Sequence, residues 1–158
     1  MKKITIYSLI LVLIDQIVKY LITLNLNEFE SIIIIKNILS LTYVKNNGAA
    51  FSILSGNTIF LIIISIITLI IIYKYLIINK KHNKIEIITY SLFVGGLLGN
   101  LIDRIIHNYV IDYINLFIIN FPVFNLADTF IVISVIILIA LEIKEELWKL
   151  KSKKNKVE

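Results

Sequence analysis

Long apolar runs, broken by a few charged positions, divide this chain into four segments that read as membrane spans. The first covers about Ile4 to Leu24 and is interrupted by Asp15, Gln16 and Lys19. The second, about Thr58 to Ile78, is nearly unbroken. The third runs from about Ile85 to Ile106, and the fourth from about Leu126 to Ile143. The stretches between them follow a different pattern. Residues 25–57 contain SIIIIKNILSLTYVKNNGAAFSIL, whose β-branched and aromatic positions flank turn residues at Asn46, Asn47 and Gly48, so a small sheet on the membrane surface is expected. Residues 107–125 are too apolar for an aqueous loop, and Pro122 marks a turn before the fourth span; this segment is expected to lie in the membrane interface.

Composition agrees with that division. Hydrophobic residues make up 58% of the 158 positions, far above what a soluble domain carries. The length accommodates one bundle of about four spans at roughly 20 residues each, and no second domain is expected. The fold class is thus an α-helical integral membrane protein of four transmembrane helices, with a small outward-facing β-rich segment. The first span resembles a cleaved leader in having Lys2 and Lys3 before an apolar run, but the run continues past Lys19 with no small-residue cleavage site, so a retained helix is expected.

Lysines set the orientation. Lys2 and Lys3, then Lys80, Lys81 and Lys84, then six lysines from Lys144 to Lys156 all fall on one side of a four-span topology. Short basic loops stay inside, so both termini and the tail of about residues 144–158 are expected in the cytoplasm. The net charge of +5 follows from this distribution and from attraction to anionic lipid headgroups, which leaves no role for nucleic acid. With no cysteine there is no disulfide, thiolate metal site or cysteine nucleophile. The two histidines, His82 and His107, fall on opposite sides of the membrane, which argues against a histidine zinc site or a serine–histidine triad. No cofactor or metal is expected.

The polar residues in or beside the spans are therefore the candidates for chemistry, because each is costly in hydrocarbon. Asp15 and Lys19 are four apart and share a helix face, where they can pair. Gly95 and Gly99 have the small-xxx-small spacing of close helix packing. Asn100, Asp103 and Arg104 end the third span, and the guanidinium next to Asp103 suits an ionised anchor. Asp112 and Asp128 have no cation close in sequence and lie among apolar residues, in YVIDYI and FNLADTF. Two carboxyl groups in one low-dielectric pocket share a proton, making one an acid and the other a base able to activate water. Against that stand a helix cap for Asp128 and a turn role for Asp112.

The ordered motifs resemble the lipoprotein signal peptidase family, also called signal peptidase II. The matching pieces are DQIVK in the first span, NNGAAFS after the surface segment, GNLIDR ending the third span, VIDY beyond it, and FPVFNLAD entering the fourth. The resemblance implies an aspartic peptidase that removes prolipoprotein signal peptides at the outer surface of the cytoplasmic membrane, with both termini inside. It makes Asp112 and Asp128 the catalytic pair, with Asn125 and Asn46 as site asparagines, Gly48 permitting a turn, and Ala49 and Ala50 leaving room for an approaching chain. Asn100, Asp103 and Arg104 would support the site, and Asp15 with Lys19 matches a conspicuous family pair. The implied partners are prolipoproteins lipidated on cysteine and membrane lipids, and the enzyme is expected to act as a monomer. Tyr113, Ile111 and Lys45 stand where phenylalanine, valine and arginine are usual.

Two other function classes remain to be weighed. A proton- or ion-conducting subunit would use the buried Asp and Lys as a relay, and should space ionisable groups through the depth of the bilayer. A structural assembly factor would depend on the glycines and not on the aspartates. If the outward loop gates the site, Gly48 and Gly56 are the expected hinges.

Overall fold

The computed structural model describes residues 1–48, 54–78, 82–118 and 121–154. Four long helices dominate: α1 (Lys2–Asn25), α2 (Thr58–Ile78), α3 (Lys84–His107) and α4 (Leu126–Lys154). Each is long and apolar enough to cross a membrane. In water the isoleucine-rich runs would favour strand. In hydrocarbon every backbone group must be satisfied within its own segment, and that requirement overrides propensity in favour of helix. Most isoleucines on α1, α2 and α4 accordingly face outward, as Ile6, Ile67 and Ile136 do.

α3 is the central helix, packed against α1, α2 and α4. Its small residues allow this. A Cβ on Gly95 would lie 3.0 Å from the Leu11 Cβ of α1, one on Gly96 only 2.5 Å from the Ala127 carbonyl oxygen at the start of α4, and one on Gly99 2.6 Å from an Asp15 carboxylate oxygen. The glycine spacing seen in the sequence thus serves two neighbours at once. Polar contacts reinforce the α1–α3 seam, where the Ser8 hydroxyl donates to the Ser91 carbonyl at 3.2 Å. α3 starts with a reciprocal capping box between Asn83 and Glu86 and ends at Asn108 in the left-handed region.

Three short strands form one antiparallel sheet in the order β1 (Ser31–Ile35), β2 (Leu39–Asn46), β3 (Val110–Leu116). Tyr43, Ile111 and Tyr113 of the sheet pack with Ile22 and Leu26 at the C-terminal end of α1. The sheet therefore sits where α1 and α3 end and α4 begins. Pairing places Val44 opposite Asp112 and Asn46 opposite Val110.

Three features differ from the expected pattern. The hairpin turn falls at residues 36–38, with Asn37 at φ 61, whereas Asn46 is the last residue of β2. The segment after α3 contributes a strand, β3, which lacks a clear in–out alternation because both faces are covered at its start. α4 runs on to Lys154, well past Ile143, because charged residues can continue a helix outside hydrocarbon; Lys149 bridges Glu145 and Glu146 at 2.9 Å each. Ala49 and Ala50 lie outside the described residues.

The glycine contacts give a packing prediction. Gly96→Ala drives a methyl against backbone, which cannot yield, and is expected to cost about 1–3 kcal/mol. Gly95→Ala meets the Leu11 side chain at 3.0 Å and backbone no nearer than the Ser8 carbonyl oxygen at 3.3 Å. Thermal unfolding in detergent should show a clearly larger loss of Tm for Gly96→Ala than for Gly95→Ala; equal losses would contradict the assignment of the close approach.

Candidate active site

The first turn of α4 begins in a crowded polar environment, and its backbone demands explain much of the arrangement. The first four N–H groups of a helix have no partner within it. Here each finds a side chain. The Asn125 N–H donates to Asp128 Oδ2 at 3.2 Å, and the Asp128 N–H donates back to Asn125 Oδ1 at 2.9 Å, a reciprocal capping box. The Leu126 N–H donates to the Tyr113 hydroxyl at 3.3 Å, and the Ala127 N–H to Asp15 Oδ1 at 3.0 Å. Asp128 thus does act as a cap, as one reading of the sequence allowed, and this use occupies only its Oδ2 in that contact.

Its other oxygen faces asparagine. Asp128 Oδ1 accepts from Asn100 Nδ2 at 2.7 Å. Asp112, on β3, accepts from Asn125 Nδ2 at 2.6 Å through one oxygen and from Asn46 Nδ2 at 2.9 Å through the other. Asn125 Nδ2 also reaches Asn100 Oδ1 at 3.1 Å. Three amides from β2, α3 and the entry to α4 therefore link the two aspartates into one network. Asp112 is 1% exposed and Asn125 fully buried. Burial first, and then the charge of Asp128, push the Asp112 carboxyl up to about 7, against the pull of the Asn46 and Asn125 hydrogen bonds.

Both aspartates line a cavity of about 440 Å³. Asn46, Arg104 and Thr129 share its polar part, while Leu116, Phe121, Phe124 and the α4 residues Ile131 to Ile133 form an apolar wall. Arg104 donates to the Gly48 carbonyl oxygen at 3.1 Å, and the Gly48 N–H donates to Asn46 Oδ1 at 2.9 Å. The guanidinium thus ties the end of β2 to the cavity rim.

A second cluster lies beneath the first, between α1 and α3. Lys19 Nζ contacts Asp15 Oδ2 and Asp103 Oδ2 at 2.9 Å each and donates to Asn100 Oδ1 at 3.1 Å, so all three ammonium protons are used. Lys19 and both aspartates are at most 1% exposed. The Asp15–Lys19 pairing expected from their spacing is present, and Asp103 makes it a triad. Asp103 finds its cation in Lys19 and not in its sequence neighbour Arg104, because consecutive helical residues point about 100° apart: one faces α1, the other the cavity.

The structure thus brings Asn46, Gly48, Asn100, Arg104, Asp112, Asn125 and Asp128 to one cavity or its immediate support, and sets Asp15, Lys19 and Asp103 directly behind it. Two participants were not singled out by sequence. Gln16 Nε2 donates to Asp103 Oδ1 at 2.8 Å and to the Gly99 carbonyl at 3.2 Å; an uncharged amide next to an aspartate in an apolar span was the available signal. The Tyr113 hydroxyl serves α4, and only its departure from the usual phenylalanine marked it.

Comparison with known proteins gives the family and the fold. The model of the family described as signal peptidase (SPase) II matches residues 7–144. The lipoprotein signal peptidase of Halothermothrix orenii is 44% identical over 133 residues, which cover 83% of this chain and 88% of that protein. The lipoprotein signal peptidase of Clostridium tetani is 38% identical over 138 residues, 85% and 88% of the two chains. A solved bacterial membrane enzyme superposes with a TM-score of 0.87 at 35% identity, over 92% of this chain and 90% of its own. With the family model extending from the first membrane helix into the last, the protein belongs to the signal peptidase II family of multi-pass membrane peptidases.

Proposed function

We propose that the protein is an aspartic endopeptidase that removes signal peptides from diacylglyceryl-modified prolipoproteins, cutting just before the lipidated cysteine, with Asp112 and Asp128 as its catalytic pair. The observation that carries this reading is one cavity holding two carboxyl groups bridged by amides, with an apolar wall running down α4 toward the hydrocarbon. That combination suits a substrate that is peptide at one end and lipid at the other. The names of the relatives from Halothermothrix orenii and Clostridium tetani support the substrate class.

The chemistry follows from the pair sharing one proton. The ionised carboxylate takes a proton from water as its oxygen bonds to the scissile carbonyl carbon. The protonated carboxyl hydrogen-bonds the carbonyl oxygen as charge develops there. Collapse of the tetrahedral intermediate breaks the C–N bond, and the leaving nitrogen takes a proton from the pair. No metal or covalent intermediate is needed, and the proton belongs to the pair as a unit. Lipid chains held along Ile131 to Ile133 would fix the scissile bond over the aspartates, a contribution of orientation that remote binding energy supplies.

The lysine distribution supports termini in the cytoplasm and, with them, a sheet and cavity at the outer leaflet of the cell membrane. An ion relay is less well supported: Asp15, Lys19, Asp103, Asp112 and Asp128 gather at one end of the bundle, where the sheet lies, and do not step through its depth.

Three outcomes test the reading. With purified enzyme and a diacylglyceryl-modified prolipoprotein, Asp112→Asn and Asp128→Asn should each lower kcat on the order of 10²–10⁴-fold; cleavage near the wild-type rate by either folded variant rejects the pair. Burial and the charge of Asp128 raise Asp112 to about 7, so the pair gives up its shared proton as pH rises through that value. Because hydrolysis needs one proton on the pair, kcat should decline as pH passes upward through about 7, and a rate unchanged from pH 6 to 9 would contradict the assignment. The same shift has a stability consequence. From the ordinary carboxylate range up to about 7 the folded state binds more protons than the unfolded one, so wild-type stability falls as pH rises through that window. Asparagine cannot ionise, so the Tm of Asp112→Asn relative to wild type should increase between pH 5 and pH 8, and a constant difference would count against a buried, titrating Asp112.

A further inference from the structure

Each of the two proposed catalytic aspartates is preceded by a residue whose peptide N–H is held by a carboxylate of the buried cluster. The Ala127 N–H, one residue before Asp128, donates to Asp15 Oδ1 at 3.0 Å. The Ile111 N–H, one residue before Asp112, donates to Asp103 Oδ2 at 3.0 Å. Lys19 lies between those two carboxylates at 2.9 Å from each, and its third proton goes to Asn100 Oδ1, which turns the Asn100 amide so that Nδ2 faces Asp128. Gln16 closes the set by donating to Asp103 Oδ1 and, at 3.3 Å, to Asp15 Oδ2.

We infer that Asp15, Lys19 and Asp103 form a positioning clamp that fixes the separation and orientation of Asp112 and Asp128. The inference rests on the reading of those two residues as the catalytic pair, and assigns to the cluster a task more specific than holding helices together. β3 and α4 reach the cavity from different elements: the Tyr113 and Ile114 N–H groups donate to the Phe124 carbonyl at 3.0 and 2.7 Å on one side of the aspartates, and the cluster holds Ile111 and Ala127 on the other. One ammonium bridging two carboxylates supplies a common reference on that second side, because each carboxylate has one oxygen on Lys19 and uses a lone pair to hold an adjacent backbone. A salt bridge serving only α1–α3 packing would not need either backbone contact. The cluster is buried, with each of its three residues at most 1% exposed, and this makes the geometry rigid, since a polar group that lets go has no water to turn to.

Positioning predicts a particular kinetic signature. Asparagine at Asp15 or Asp103 keeps an oxygen that can accept the backbone N–H, whereas alanine removes it. A misplacement of about 1 Å costs on the order of 100-fold in rate, so Asp15→Ala and Asp103→Ala should lose about that much in kcat. Asparagine at either position should restore about tenfold or more of it. KM for a diacylglyceryl-modified prolipoprotein should stay within about threefold of wild type, because the cluster does not touch the cavity that binds it.

The test is steady-state kinetics of the full-length enzyme in detergent, with amide NMR of the same samples. The Ala127 amide resonance should move in Asp15→Asn and the Ile111 resonance in Asp103→Asn. Unchanged kcat in folded alanine variants, equal loss in the asparagine and alanine variants, or a rise in KM at constant kcat would each overturn the clamp. Where a variant does not fold, wild type still decides: slow hydrogen exchange at Ala127 and Ile111 supports the clamp, and exchange as fast as at the exposed turn of residues 36–38 refutes it. Failure of the catalytic pair itself is read separately, from wild-type rates in Asp112→Asn, and leaves the NMR result standing.

Discussion

A lysine ammonium enclosed in a membrane helix bundle must have all its protons taken by protein, and Lys19 meets that demand with two carboxylates and one amide. Much of the functional end of the molecule is organised around this one requirement. To reach Lys19, α3 must lie close to α1, which Gly95 and Gly99 permit. To satisfy their remaining lone pairs, Asp15 and Asp103 reach past Lys19 to backbone on α4 and β3. An uncompensated buried charge here would be strongly destabilising, so the cluster behaves as a unit that is either complete or costly.

Above the cluster, the same logic is repeated with neutral amides. Asn46, Asn100 and Asn125 satisfy carboxyl oxygens without neutralising them. A cation in place of these amides would favour full ionisation of both aspartates, whereas the proposed hydrolysis needs one proton held by the pair. Arg104 remains near enough to line the cavity, yet it donates to the carbonyls of Gly48 and Asn100. The site thus raises the Asp112 carboxyl to about 7 while, among the described residues around it, both aspartates have their oxygens hydrogen-bonded.

Sequence made some of this legible for physical reasons. The four spans stand out because about twenty apolar residues in a row match the thickness of a bilayer, and the aspartates stand out because carboxylates are rare beside hydrocarbon. Asp15 and Lys19 are separated by one helical turn, so their pairing needed no tertiary information. The partner of Asp103 did need it: proximity in sequence favoured Arg104, but helical geometry sent the two side chains in different directions. The strand β3 was hidden because a run covered on both faces lacks the alternation that identifies a half-exposed strand. The turn at residues 36–38 was overlooked in favour of Asn46 to Gly48, whose turn-forming residues instead shape the end of β2 and the rim of the cavity. The extension of α4 had no apolar signal, and depended on Glu and Lys spacing that hydropathy does not register.

The central claim is that Asp112 and Asp128 act as one catalytic unit, and a double-variant cycle tests it most directly. Single-turnover cleavage of a lipidated prolipoprotein would be measured for wild type, Asp112→Asn, Asp128→Asn and the variant carrying both changes, each verified as folded. If the pair shares one proton and one task, the double variant should be about as slow as either single variant. Losses that multiply, so that the double variant is slower by the product of the two single effects, would mean that the aspartates contribute independently and would contradict the account.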